Sequence, residues 1–282
     1  MRRGPPNVGS VGAPGGEKDP VEGTLEHQQA MYPGPGFSWH PVPDRRDVPP
    51  ARPARTHRWG LGAYVVVQGV FLLASGLMGV FVFDPDRPTV ATATTAVAVP
   101  TVLAAATAVL ITKWRGNGPG EDLRWRWSWR DAGIGLAFGL GGLILTIVAS
   151  MVYISIMGPD VTSAVGEVFG GLRSGVPAAL TVWVVVVIIA PLCEEIVYRG
   201  LLWGALEKYG VNRWAVFAIT TVVFAVAHLE LTRMPLLVVI SVPLGLARLY
   251  TGRLLPSVVA HQVNNVLPGI ALVLGLLGVV QL

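Results

Sequence analysis

Two adjacent carboxylates, Glu194 and Glu195, interrupt an apolar run in Ala190–Gly204, APLCEEIVYRGLLWG. No charge occurs in Ala178–Ala190 before them, and Leu201–Leu206 is apolar again. An ionised carboxylate in the middle of a bilayer helix costs about 2.5–3.5 kcal/mol, so two side by side need partners, water or a proton. Arg199 follows Glu195 by four residues, which puts both on one helix face and lets them pair. Glu194 points about 100° away and has no cation within its own segment. An acid in that position marks a functional site.

Further polar groups interrupt the apolar segments that follow. His228 comes one turn after Phe224 in Phe224-Ala-Val-Ala-His228, and His261 and Asn265 share a helix face in His261-Gln-Val-Asn-Asn265. Counted from the nearest basic turn, Glu194, His228, His261 and Asn265 all stand roughly 12–23 Å deep at ~1.5 Å per residue. Three helices therefore offer an acid, two imidazoles and an amide at similar height. A glutamate in a membrane cavity is a competent base near neutrality. A histidine beside it can share and orient one water, while the second histidine and the Asn amide donate to a carbonyl becoming tetrahedral. That is amide hydrolysis by an activated water. Glu194, His228 and His261 are also the ligand types of a catalytic zinc with an open position, and the sequence supports either version. Cys193 beside Glu194 offers a thiol nucleophile, though a buried cysteine is more often inert packing. Asn264 reads as a bond between helices, and Pro191 as a kink that frees carbonyls just before the acids.

The elements that must position these groups are membrane helices. The 282 residues are 52% apolar and 13% charged, with a mean hydropathy of +0.57, whereas soluble domains carry about a quarter charged residues. Apolar runs of about 20 residues without two-residue alternation predict an all-α, multi-spanning membrane protein of about seven transmembrane helices. The expected spans are Leu61–Phe83, Val90–Lys113, Ile134–Met157, Val176–Tyr209, Arg213–His228, Met234–Tyr250 and Leu255–Val280. The fourth exceeds ~30 Å of hydrocarbon, so it must tilt or protrude. Residues 1–58, rich in Pro and Gly, read as a disordered cytoplasmic tail, and no apolar stretch follows Arg2 and Arg3 to make a signal peptide. Within it, Met31–Pro41 has the look of a short binding motif. Residues 59–175 form the N-terminal transmembrane helices and 176–282 the catalytic core.

Basic residues gather before span one, between spans two and three, and at the turns after spans four and six. By the positive-inside rule the N-terminus is cytoplasmic in the cell membrane. The positive net charge of +4 is therefore a topology signal rather than a sign of nucleic-acid binding. In Arg115–Asp131, Trp125, Trp127 and Trp129 alternate with Arg124, Arg126 and Arg130, a pattern that anchors a chain at the lipid headgroups. The single cysteine excludes an internal disulfide.

The three motifs, EExxxRG at Glu194–Gly200, FxxxH at Phe224–His228 and HxxxN at His261–Asn265, together resemble the CPBP family. These are membrane-embedded CAAX prenyl proteases and bacteriocin-processing enzymes, also called Abi proteins. Pro191 and LLPSVVAHQVNN (Leu254–Asn265) extend the likeness, which covers roughly 176–269. The resemblance implies an intramembrane endopeptidase whose cavity opens toward the cytoplasm. Carried over, Glu194 and His228 activate the water, His261 and Asn265 form the oxyanion site, and Glu195 and Arg199 support the first acid. The family is described both as metalloprotease and as glutamate-dependent and metal-free, so the cofactor is either none or a divalent metal such as zinc. The Arg- and Ala-rich composition suggests a bacterial chain, whose substrate is a peptide or membrane-anchored protein rather than a prenylated CAAX protein. The competing classes are a non-catalytic scaffold or bacteriocin-immunity protein and, more remotely, an ion-coupled transporter.

Overall fold

The computed structural model describes Met1, residues 57–158 and residues 163–280. The expected tail, with its Met31–Pro41 motif, lies outside the described residues apart from Met1 and the two residues at its end. Contacts divide the chain at Pro53, and everything below concerns the unit Ala54–Leu282. Its described residues form helices α1 (Leu61–Phe81), α2 (Val90–Arg115), α3 (Pro119–Asp122), α4 (Trp129–Met157) and α5 (Ala164–Phe169). After these come α6 (Val176–Lys208), α7 (Arg213–Ala227), α8 (Met234–Thr251) and α9 (Leu254–Leu276). No strand occurs among the described residues. The short α5 lies between the third and fourth of the expected spans.

Six helices, α1, α2, α4, α6, α8 and α9, are long and apolar enough to cross a membrane. This is a multi-pass helical membrane protein. The expected fifth span is the exception: α7 has 15 residues, which at ~1.5 Å each reach about 22 Å, short of a ~30 Å hydrocarbon layer. Its start is fixed by Asn212, whose side chain accepts from Trp214 and Ala215 N–H at 3.1 and 3.0 Å. Its end is fixed by Leu229, which turns into the left-handed region at φ 58° directly after His228.

Threonines of α2 satisfy themselves locally. In α2, Thr95, Thr101 and Thr107 donate their hydroxyls to the carbonyls of Ala91, Val97 and Leu103 at 2.8, 2.9 and 2.7 Å. This is why an Ala/Thr-rich stretch remains compatible with lipid. The Arg/Trp segment before α4 keeps Trp127 and Trp129 exposed, their rings edge to face at 5.3 Å.

Glycines bring α4 against the last two helices. A Cβ on Gly135 would stand 2.6 Å from the Pro256 carbonyl, one on Gly139 2.7 Å from Val263 Cβ, and one on Gly142 2.7 Å from Pro243 Cγ. Side chains of any size are excluded, so the backbones approach as in other small-residue membrane interfaces. Thr146 Oγ1 seals the same seam by donating to Asn264 Oδ1 at 2.9 Å. Two apolar cores result. One gathers Trp59, Leu123, Tyr198, Trp203, Phe224 and Leu254; the other gathers Ala93, Phe169, Val182 and Leu272. The carboxylates of α6 sit beside the first.

Candidate active site

Helix α6 is not uniformly α-helical. Two π-helical stretches, Val184–Ile189 and Ile196–Leu202, flank the α-helical Ala190–Glu195 that carries both acids. Wider turns of this kind recur at functional sites, because they leave main-chain groups without their usual partners. Ala190 N–H reaches back five residues to the Val185 carbonyl. Pro191 has no N–H to do the same for Val186. The Val186 carbonyl instead accepts from Asn265 Nδ2 at 3.1 Å, and that of Ile188 from Gln262 Nε2 at 3.3 Å. In the second stretch Trp203 N–H also reaches back five residues, to Tyr198. The Arg199 carbonyl receives Nε–H of Arg248 at 3.0 Å. At the first stretch the donors come from α9, and at the second from α8.

Glu195 is the best-satisfied acid in the site. It and Arg199 are both 0% exposed, and Arg199 Nη1 donates to Glu195 Oε1 at 2.8 Å. Ser257 Oγ donates to Glu195 Oε2 at 2.6 Å, and His261 Nδ1 lies 2.9 Å from Oε1. The other terminal nitrogen of Arg199 donates to Ser241, at its hydroxyl and its carbonyl. Three helices thus converge on one buried ion pair, the condition under which such a pair is tolerated away from water.

Glu194 is different. Its side chain is 25% exposed, and His261 Nε2 stands 3.9 Å from its Oε2. That is too long for a direct hydrogen bond and suits a single bridging water. His261 is therefore held between the two acids, bonded to one and facing the other. His228, at the end of α7, has Nδ1 2.7 Å from the Phe224 carbonyl. A carbonyl only accepts, so Nδ1 carries the proton and the neutral ring leaves Nε2 as an acceptor.

Phe224 joins these groups. Its buried ring lies 4.6 Å from that of His228, 5.7 Å from that of His261 and 5.3 Å from that of Tyr198, with the Arg199 guanidinium 4.6 Å from its centroid. The structure thus brings Glu194, Glu195, Arg199 and His261 into one bonded or near-bonded cluster and sets His228 beside it through this ring. Asn265 lies at the π-helical turn, its amide turned to α6. Ser257, Ser241 and Arg248 escaped the sequence reading. Ser257 was within reach of it, being four residues before His261 and so continuing the face of His261 and Asn265.

Among the described residues, no group of three or more His, Cys, Asp or Glu side chains is arranged to hold a metal ion. His261 gives Nδ1 to Glu195 and His228 gives Nδ1 to a carbonyl. Cys193 is buried.

Fold and site together define a multi-pass helical membrane protein with a charged cluster built into the interior of its last four helices. Residues 176–267, about a third of the chain, match the family described as Rce1-like, type II CAAX prenyl endopeptidase Rce1-like. All three motifs fall within the matched residues. The match bears out the resemblance to the CPBP family of CAAX proteases and supports a protease that acts on a peptide or protein. Comparisons with curated proteins and with solved structures return no match.

Proposed function

We propose that the chain is an intramembrane endopeptidase that hydrolyses a peptide bond of a membrane-associated or lipidated substrate, with 176–282 as its catalytic core. The observation that carries this reading is the placement of His261, with Nδ1 on Glu195 and Nε2 facing the half-open Glu194 across 3.9 Å.

In this reading a water sits between Glu194 and the substrate carbonyl, oriented by the acceptor Nε2 of His228. Glu194 takes one proton from the water as its oxygen bonds to the carbonyl carbon. The new oxyanion accepts hydrogen bonds from His261 and Asn265. With Nδ1–H on Glu195, the His261 ring donates from Nε2 as imidazolium. Asn265 Nδ2 has two hydrogens, so bonding Val186 leaves one for the oxyanion. The C–N bond then breaks, and Glu194 returns its proton to the leaving amine. Glu195 and Arg199 touch no reacting atom; they hold His261 in register.

The test is cleavage of lipidated and unlipidated peptides by the purified protein, with and without a strong chelator, beside Glu194→Gln and His228→Ala. The expected result is cleavage that survives the chelator and is lost in both variants. Cleavage that survives Glu194→Gln would overturn the assignment of the base. Loss in chelator with rescue by zinc would restore the metal version. A membrane function that persists in Glu194→Gln without any cleavage would favour the scaffold or immunity reading.

A further inference from the structure

The face between α4 and α8 carries a feature the proposed reaction does not use. An open groove of about 320 Å³ runs between the two helices. Its lining residues are apolar, among them Ala137, Phe138, Gly141 and Leu145 from α4, and Val242 and Leu246 from α8. The groove exists because Gly141 leaves open space where a side chain would stand, while its neighbour Gly142 lets Pro243 approach.

The stripe that forms it has a charged foot. On α4 the positions Arg130, Ile134, Ala137/Phe138, Gly141 and Leu145 follow one another at three- and four-residue spacing and so share a face. Arg130 therefore lies on the groove side, about 10 Å below Ala137 at ~1.5 Å per residue. It is exposed and makes no ion pair among the described residues. On α8, Val242, Leu246 and Tyr250 continue the opposite wall downward, and the Tyr250 ring stacks on Phe138 at 6.4 Å. Trp214 meets Tyr250 at 6.3 Å, and the Arg213 guanidinium lies 5.7 Å from the Trp214 ring. At this end of the groove the Phe138, Tyr250 and Trp214 rings follow one another, and Arg130 stands at the start of α4, next to the Trp127/Trp129 segment whose composition belongs at the headgroups.

We infer that this groove is a binding site for an anionic phospholipid, its acyl chain lying against Phe138, Gly141 and Leu246 and its phosphate held by Arg130. A neutral apolar occupant would explain the walls but gain nothing from an unpartnered cation at the foot. A free anion would use the cation and leave the groove empty. A phospholipid uses both, and one basic residue near a membrane surface favours an anionic lipid by about fivefold.

The experiment uses the full chain in nanodiscs and measures retained lipid by native mass spectrometry, with phosphatidylglycerol competing against phosphatidylcholine. The wild type is expected to retain phosphatidylglycerol in preference. Arg130→Gln should lower that preference about fivefold without emptying the groove, and Arg130→Lys should keep most of it. Gly141→Leu, which fills the open space, should reduce retention of both lipids. Gly141→Ala is the milder variant should leucine unfold the protein. Unchanged headgroup preference in Arg130→Gln would overturn the proposal. So would displacement of the lipid by a neutral lipidated peptide equally well in wild type and Arg130→Gln, which would assign the groove to a substrate chain. None of these readouts involves proteolysis, so the inference stands or falls apart from the proposed reaction.

Discussion

Arg248 Nε–H donates to the main-chain carbonyl of Arg199 at 3.0 Å, so one buried arginine holds the backbone of another. Arg248 is 1% exposed, its guanidinium lies 5.6 Å from the Trp203 ring, and a terminal nitrogen donates to the Gly252 carbonyl. Two main-chain acceptors, at the π-helical turn and at the end of α8, are bonded by it. Leaving each unsatisfied costs about 1–3 kcal/mol. Arg248→Met is expected to lower the unfolding temperature and, by loosening the turn that carries Arg199, to lower turnover more than substrate affinity. Lysine cannot span both carbonyls with a fixed fork and should rescue only in part. A stable Arg248→Met protein with unchanged kinetics would mean that the turn holds itself.

Removing Arg199 strands Glu195, a fully buried carboxylate, without its cation. Breaking such a pair typically costs about 3–5 kcal/mol, so Arg199→Ala is expected to express poorly and melt early. The double variant Arg199→Met with Glu195→Gln should recover much of the stability and little of the activity, because His261 loses its charged acceptor. Thermal unfolding and peptide cleavage measured on the same preparations separate the two effects. Normal stability in Arg199→Ala would count against the ion pair.

Ser257→Ala deletes the hydroxyl that donates to Glu195 Oε2 at 2.6 Å. Hydrogen bonds to charged groups contribute about 1.5–3 kcal/mol. A loss of that size in stability is expected, with activity reduced but not abolished, since Arg199 and His261 still hold Oε1. An inactive Ser257→Ala protein of native stability would instead give this hydroxyl a direct part in the chemistry.

Gly139 faces Val263, which lies between His261 and Asn265 on α9. A methyl group there meets backbone-proximal atoms at 2.7 Å and cannot be accommodated by a flexible tip. Gly139→Ala is therefore expected to push α4 and α9 apart, lowering cleavage even though the residue touches none of the reacting groups. Full activity and an unaltered melting curve in Gly139→Ala would show that the seam yields without moving α9.

Much of this architecture was legible in the sequence, because long apolar runs have few alternatives in lipid. Leu61, Val90, Val176, Arg213 and Met234 begin helices where their runs predict, and α6 runs as long as its residues require. The short α7 is the instructive difference. Apolar content announced a span, but Asn212 and Leu229 fix its ends by hydrogen bonding and by a left-handed turn that hydropathy does not register. The cluster was legible wherever residues share a helix face, as Glu195 with Arg199 and His261 with Asn265 do. It was illegible where partners meet only in three dimensions. Arg248 looked like one more basic residue flanking a turn, yet it folds inward onto Trp203. The bond from His261 to Glu195, rather than a direct one to Glu194, likewise depends on how α9 sits against α6, where Gly269 meets Val187 and Trp183.

Cys193 immediately precedes Glu194 in the α-helical stretch between the two π-helical turns, and it is the one thiol in this chain. It is 7% exposed, so a small maleimide can reach it only when the packing around α6 loosens. The rate of alkylation of the unmodified chain thus becomes a clock for how often this part of α6 breathes, read without introducing a label or a mutation.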